Sequence, residues 1–445
     1  MPGITVYASS QLERLATVLA HVLRLEGATL GPFEPQQVVV PTQGLARWVQ
    51  QTLAQAHGVS AGLRTPFVGN VLDELLADRA APDQQPFAKD ALVLRLFRLL
   101  GAAEHQARLG AAAAYCADDP TGLQRFQLAT RLASTFDDYQ LLRPDLLRRA
   151  ARGDDLHELG SHGPWQAELW RLLLGDADAT TDGVRLDDLA RRLDAAEPTA
   201  AQLPRHLHLF GIASLPPAYL AMLQRLARTT RICLYAPLPT VQIPALLAGG
   251  AEPAGGESAG NPLLSRFGQT SREFAVQLAE QDGAGLALTL LDDPIDPQVP
   301  TGSLLQRLQQ DVRAVVDRSR GDLPRHVVAA DDTSLLVHDC HAPMRELEVV
   351  KDQILAAFAA DPELEPHQVI VLVTDIATYA PYAEAVFGPV HKVLPYRVAD
   401  RDPGDEQPLC SLVLTVLELA IGRLGWRDVL ADMIVMGSRG HSTIG

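Results

Sequence analysis

Four short stretches carry residue types that could do chemistry. In "VHDCHAP" (337–343) His338, Cys340 and His341 are metal-ligand types, and on an extended segment His338 and Cys340 share one face, as two zinc ligands would. No second cluster at ligand spacing accompanies them, so the stretch reads as a partly buried strand end. His206 and His208 in "RHLHLF" read the same way. Asp137-Asp138 offers a pair of carboxylates, but neighbours on a helix point in different directions, and a solvated or nucleic-acid-facing edge is the better reading. "ELEVVK" (346–351) has the carboxylates and lysine of a metal-dependent nuclease, but not the D…ExK spacing, and it falls in a predicted helix.

A fifth stretch has the right place and shape for chemistry but lacks the groups. "GITVYASSQLERLATVLAHVL" (3–23) predicts a strand, a tight connection and an amphipathic helix, the arrangement that carries a phosphate loop in nucleotide-binding enzymes. The connection Ala8-Ser9-Ser10-Gln11 has no glycine, and no Lys-Ser or Lys-Thr follows it. GxxxxGK[ST] occurs nowhere, and no Asp-Glu pair closes an apolar strand to hold magnesium. GxSxG, HExxH and paired CxxC are also absent. The residues therefore predict no catalytic centre, no metal site and no cofactor of this chain's own.

The elements around these stretches repeat one pattern. Strand 4–7 leads to a helix with Leu12, Leu15, Leu19, Val22 and Leu23 on one face, then to strand 38–40 and a helix through Leu45, Trp48, Val49 and Leu53, with Thr42 as its N-cap. In "HLHLFGIASLPPAYLAMLQRLARTTRICLYAP" a strand ends at Gly211, Pro216 and Pro217 start a helix, and ICLYA returns as a strand. A third unit joins "SLLVHDC", the helix "PMRELEVVKDQILAAF" and the strand "HQVIVLVTD". Apolar strands alternating with helices predict an α/β fold with parallel sheets covered on both faces. Between about 85 and 195 only helical periodicity is present, in "LVLRLFRLLGAA", "LQRFQLATRLASTFDDYQLLR" and "WQAELWRLLLG", which predicts an α-helical insertion. "ALLAGGAEPAGGESAGNP" (245–262) and "DDPIDPQVPTGS" are predicted linkers or surface loops.

Composition sets bounds. A chain of 445 residues predicts two or three domains. A net charge of −16 argues against coating nucleic acid by bulk attraction, though not against a narrow basic channel. The four cysteines are scattered, as in a reducing compartment. There is no signal-peptide pattern, and no run approaches the roughly 18 apolar residues of a membrane span, so a cytoplasmic protein without membrane contact is expected.

Eight stretches, in order along residues 4 to 430, together resemble the RecC family, the gamma subunit of exodeoxyribonuclease V: "VYASSQLERL", "FEPQQVVVPTQGLARWVQQTLAQAHGVSA", "FDDYQLLRPDLL", "WQAELW", "FGIASLPPAYLAMLQRLA", "NPLLSRFGQTSREF", "CHAPMRELEVVKDQIL" and "LPYRVADR". The resemblance implies degenerate superfamily 1 helicase-like parallel-sheet domains. It places a first, inactive domain at 1–80 plus 200–320, the α-helical insertion at 85–195, the start of a second helicase-like domain at 330–430 and an atypical tail at 431–445. It also implies a subunit that splits a duplex end, guides one strand through a tunnel and recognises the Chi sequence during double-strand break repair by homologous recombination. ATP and Mg2+ are then used by the partner beta and alpha subunits.

The family's tunnel-lining segments fall on Pro41-Thr42-Gln43-Gly44 with Arg47, on Thr65-Pro66-Phe67 and on Ser134 to Arg143. Thr42, Gln43 and Arg47 could meet phosphate and base edges, though Thr42 serves equally as an N-cap and Arg47 as a solvated face. Phe67 could stack on a base or belong to the core. Asp137 could accept from a cytosine amino group, Arg143 could hold a guanine edge or a phosphate, and Arg185 matches an arginine of the same kind. The chain departs from the family pattern where Pro41 replaces an amide side chain, Asp73 a tryptophan and Ser134-Thr135 an Asp-Leu pair. These changes predict altered or lost base readout with strand guidance retained.

From about Leu430 the resemblance ends. "ADMIVMGSRGHSTIG" is similar instead to the strand and glycine loop of universal stress proteins, with Gly437-Ser438-Arg439-Gly440 at the start of that loop. A gene fusion, frameshift or assembly join accounts for such an ending. The alternatives to a DNA-guiding subunit are a truncated or fused fragment without function of its own and a nucleotide-dependent DNA enzyme.

Overall fold

The computed structural model describes residues 3–31, 34–71, 87–177, 182–187, 190–191, 204–242, 260–292, 302–320, 323–399 and 413. Asp73, most of the 245–262 stretch and the 431–445 tail lie outside them. The chain divides into two units, Met1–Asp332 and Thr333–Gly445.

The first unit is built on a parallel six-stranded sheet: β1 (Ile4–Ser9), β2 (Gln36–Val39), β3 (Leu63–Arg64), β4 (His206–Phe210), β5 (Arg231–Pro237) and β6 (Leu286–Leu290), in the spatial order β3-β2-β4-β5-β1-β6. Every ladder is parallel, with Ile4 level with Ile232 on one side and Leu286 on the other. Side chains alternate between the faces, so the inner strands β1, β2, β4 and β5 feed two cores. Ile4, Val6 and Ala8 of β1 and Ile232, Leu234 and Ala236 of β5 pack against α7 (Pro217–Leu226) and α9 (Gln269–Glu280). Cys233, Tyr235 and Phe210 turn the other way, under Leu15, Leu19 and Leu23 of α1 (Leu12–Gly27) and Val49 and Leu53 of α2 (Gln43–His57). Each of these buried leucines contributes about 1.5–3 kcal/mol by removal from water.

Local chemistry sets the element ends. Thr42 is the N-cap of α2, its Oγ1 accepting from the Leu45 amide at 3.2 Å, and α2 stops at Gly58 in the left-handed region. Gly211, at the exit of β4, has φ of +72°, and a Cβ there would lie 2.3 Å from Leu45 Cδ2. That glycine lets α2 lie directly over the end of β4.

The segment between β3 and β4 is helical where it is described: α3 (Lys89–Gly101), α4 (Leu123–Leu142), α5 (Pro144–Ala151) and α6 (Gly163–Asp176). They enclose their own core around Trp170, whose ring lies 5.3 Å from Phe87 and 5.2 Å from Phe136. The Trp170 indole N–H donates to the Asp182 carbonyl at 3.1 Å. Arginines tie the helices from outside: Arg148 makes a two-pronged contact with Asp187 at 2.6 and 2.8 Å, and Arg95 and Arg98 share Asp176. Further helices are α8 (Pro262–Phe267) and α10 (Leu304–Ala314) in the first unit, and α11 (Pro343–Ala360) in the second.

In the second unit α11 packs on α12 (Ile376–Phe387) around Leu347, Val386, Phe387 and Leu394. The two apolar segments predicted here as strands join no ladder among the described residues. Val337 is 91% exposed and Leu372 83%. A run of β-branched residues sets an extended backbone, but a strand also needs a paired neighbour, which local sequence cannot supply. With α11 these segments line a groove of about 680 Å³. Among the described residues no helix is long and apolar enough to cross a membrane.

Candidate nucleic-acid interface

Strands β3, β2 and β4 are neighbours, so the loops leaving their C-terminal ends meet along one edge of the sheet. Ligands of open α/β sheets bind outside these strand ends. The loop after β2 ends at Thr42 and runs into the first turns of α2, which carry Gln43 and Arg47, all three exposed, and the loop after β3 carries Phe67, half-buried. One backbone bond joins them: the Val40 amide donates to the Pro66 carbonyl at 3.1 Å. On α2 the residues Ala46, Val49 and Leu53 face the core, which turns Arg47 toward solvent. Thr42 uses its hydroxyl as the helix cap and has a structural role whatever else it meets. The start of α2 and the loop after β3 together present a guanidinium, a carboxamide and a phenyl ring, suited to phosphate, base edges and base faces respectively.

The other three predicted positions, Asp137, Arg143 and Arg185, lie in the helical segment. Asp137 sits on α4, and Arg185 reaches it from the far end of the segment, Nη1 to Oδ1 at 4.0 Å. The Arg185 amide also donates to Gln140 Oε1 at 3.3 Å, while the Gln140 Nε2 donates to the buried carbonyl of Phe87 at 3.1 Å. Asp137 and Arg185 thus form a half-exposed pair, and Arg185 is anchored through its backbone. Arg143 stands at the α4–α5 junction with its side chain 54% exposed, 3.3 Å from Asp145. Ser134 and Thr135 are on α4, and the Thr135 hydroxyl donates back to the Arg131 carbonyl at 3.1 Å.

Two charged sites were not legible in the sequence. At the β1–α1 bend the buried Asp292, just past β6, accepts from Ser9 Oγ at 2.5 Å and from the Ser10 amide and Oγ at 2.6 Å each. Burial works to raise the pKa of this carboxyl, but the hydroxyls of Ser10 and Ser9, the Ser10 amide and the charge of Arg313 outweigh it and hold it below the usual range. At the opposite, N-terminal end of the strands, Glu26 of α1 lies between two histidines of β4. Its Oε2 is 2.8 Å from His208 Nε2, and its Oε1 is 3.1 Å from His206 Nδ1 without hydrogen-bond alignment. Desolvation again opposes ionisation of Glu26. The His208 hydrogen bond and the charges of His208, His206 and Arg231 prevail and lower its pKa. His206 and His208 are therefore held by a carboxylate at a strand end, and His338 and Cys340 line the groove of the second unit. Among the described residues no group of three or more His, Cys, Asp or Glu is placed to hold a metal ion.

Comparison with known proteins places the sequence in a family. Residues 4–315 match the sequence model described as "RecC, N-terminal domain". The chain is 30% identical to the RecBCD enzyme subunit RecC of Escherichia coli K12, over 98% of this chain and 43% of that protein. It is 26% identical to the subunit of the same name from Haemophilus influenzae Rd, over 98% of this chain and 44% of the relative. For Mycobacterium tuberculosis H37Rv the identity is 30%, over 87% and 37%. The chain belongs to the RecC family, and it spans less than half the length of these relatives.

Proposed function

We propose that this chain is a DNA-guiding part of the gamma subunit of exodeoxyribonuclease V, in an assembly with the beta helicase-nuclease and alpha helicase subunits. The single observation that carries the reading is the joined edge: the loops after β2 and β3, bound together by Val40 and Pro66, set the exposed Gln43 and Arg47 at the start of α2 beside the half-buried Phe67. Such an edge can hold an extended single strand by phosphate contact and stacking, with little dependence on sequence. RecC-family membership over residues 4–315 gives the same direction.

In this reading the parallel sheet is a superfamily 1 motor scaffold that no longer turns over ATP, with its helical insertion at 85–195 and a second helicase-like domain beginning near 330. The bend where a motor would grip triphosphate has neither glycine nor lysine, and an internal carboxylate lies against it. ATP and Mg2+ are then consumed by the partner subunits, and the complex works in the cytoplasm on duplex ends during recombinational repair. Pro41 supplies no side-chain donor at the tunnel edge, so the sequence read here differs from the Chi sequence of the best-known members, or no sequence is read.

Co-expression with the beta and alpha partners tests the reading. Co-purification of the three chains and ATP-dependent unwinding of duplex ends are expected. ATP hydrolysis by this chain alone, or failure to join its partners, would count against it.

A further inference from the structure

The bend between β1 and α1 lies at the C-terminal end of a central parallel strand and opens onto a helix N-terminus, where backbone amides and the helix dipole favour an anion. In this chain the position is filled from within. Asp292, its side chain 1% exposed, comes from the segment after β6 and is 282 residues from its partner Ser10. Its Oδ1 accepts from Ser9 Oγ at 2.5 Å, and its Oδ2 accepts from the Ser10 amide and hydroxyl at 2.6 Å. Ser9 Oγ in turn accepts from the Gln11 amide at 3.0 Å, so the carboxylate is linked to two successive amides of the bend. Two guanidinium groups stand behind it, Arg14 at 3.6 Å and Arg313 at 3.9 Å. An amide, two hydroxyls, a helix end and two arginines form the donor set that a bound phosphoryl group would recruit.

We propose that Asp292 is a built-in substitute for a phosphoryl group: an internal anion that occupies the β1–α1 cradle, closes it to nucleotides and fastens β6 to β1. The inference rests on the reading that this bend serves no nucleotide, and it is independent of whether the chain guides DNA. The carboxylate sits where the backbone already ties these strands, since the Leu291 amide donates to the Ala8 carbonyl at 2.9 Å. Removing the side chain leaves a cradle of donors with no acceptor, and a small tetrahedral oxyanion is the ligand that fits it.

Chemical rescue tests this. Thermal midpoints are measured for the unaltered chain, for Asp292→Gly and for the double variant Asp292→Gly with Ser10→Ala. Each is scanned in sodium phosphate, sodium sulfate and sodium chloride at matched ionic strength. The single variant is expected to lose stability in chloride and to regain most of it in phosphate or sulfate, along a saturable curve. The unaltered chain and the double variant should show only the small, non-saturating rise common to excluded salts. If Asp292→Gly does not fold in chloride, recovery of the folded state in phosphate is the same positive result. Absence of rescue, or equal rescue in the double variant, overturns the proposal. Asp292→Asn, which keeps the shape without the charge, is expected to fold and to show no saturable phosphate response, and such a response in it would also contradict the proposal. None of these readouts involves DNA, so they succeed or fail apart from strand guidance.

Discussion

The Val40 amide donates to the Pro66 carbonyl at 3.1 Å, and that bond joins the loops that follow β2 and β3. Arg47 and Phe67, 20 positions apart in sequence, are thereby carried on one edge of the sheet. An exposed guanidinium on a helix face has little to do for stability, so its removal should be felt in binding alone.

Replacing Arg47 with alanine in the co-purified complex is expected to weaken single-strand binding several-fold, to a similar extent for all sequences. The slope of log affinity against log salt should shrink by about 0.7, one phosphate contact on a single strand. Fluorescence anisotropy over a salt series measures both. An unchanged slope would remove Arg47 from the strand path, and the chain's thermal midpoint should not move.

Phe67 is half-buried, so stacking and packing must be separated. Phe67→Ala is expected to cost about 1–3 kcal/mol of strand binding per stacked base. Phe67→Leu keeps the apolar bulk while removing the ring, so it should retain most of the chain's stability and still lose most of the binding. A leucine variant that binds as well as the unaltered protein would make Phe67 a core residue.

The fold was legible wherever periodicity alone defines an element. β1, β4 and β5, the N-cap at Thr42 and the proline start of α7 follow from strings of a few residues. What was not legible depends on partners distant in sequence. Nothing near "TLLDDP" marks Asp292 as the occupant of a bend formed by Ser9 and Ser10, and Glu26 at the end of an amphipathic helix reads as a solvated charge until β4 brings His208 to it. The same limit explains the second unit, where apolar runs at 335–340 and 369–374 announced strands but only a paired neighbour makes a ladder. In the candidate interface, the grouping of Gln43 and Arg47 was visible in sequence, whereas the pairing of Asp137 with Arg185 was not.

That pair invites a double-mutant cycle. With 38% and 22% of the side chains exposed and 4.0 Å between charges, the coupling of Asp137 and Arg185 is expected to be below about 1 kcal/mol. Urea denaturation of the two single variants and the double variant measures it. A coupling of several kcal/mol would show a structural bridge too strong to open for a base.

Glu26 gives a pH signature. Its folded pKa lies below the ordinary carboxyl value, so its stabilisation is fully present above the unfolded pKa and is lost as pH falls through the folded pKa. Glu26→Gln should therefore be less stable than the unaltered chain at neutral pH, with the gap narrowing in acid. His208→Ala should cost more, about 3–5 kcal/mol, because it leaves a buried carboxylate without its donor. Denaturation midpoints across pH 3 to 7, as roughly bracketed by reference carboxyl and histidine pKa values, record both. A gap that widens in acid would reverse the sign and refute this assignment.

The most direct test of the proposed strand guidance places a photo-crosslinking side chain at Gln43 in the chain co-assembled with the proposed beta and alpha partners, on a duplex end with each strand separately labelled. Crosslinks to one separated strand, formed only when the partners hydrolyse ATP and weakened by charge reversal at Arg47, are the predicted result. Equal labelling of both strands, or none during active unwinding, would contradict it.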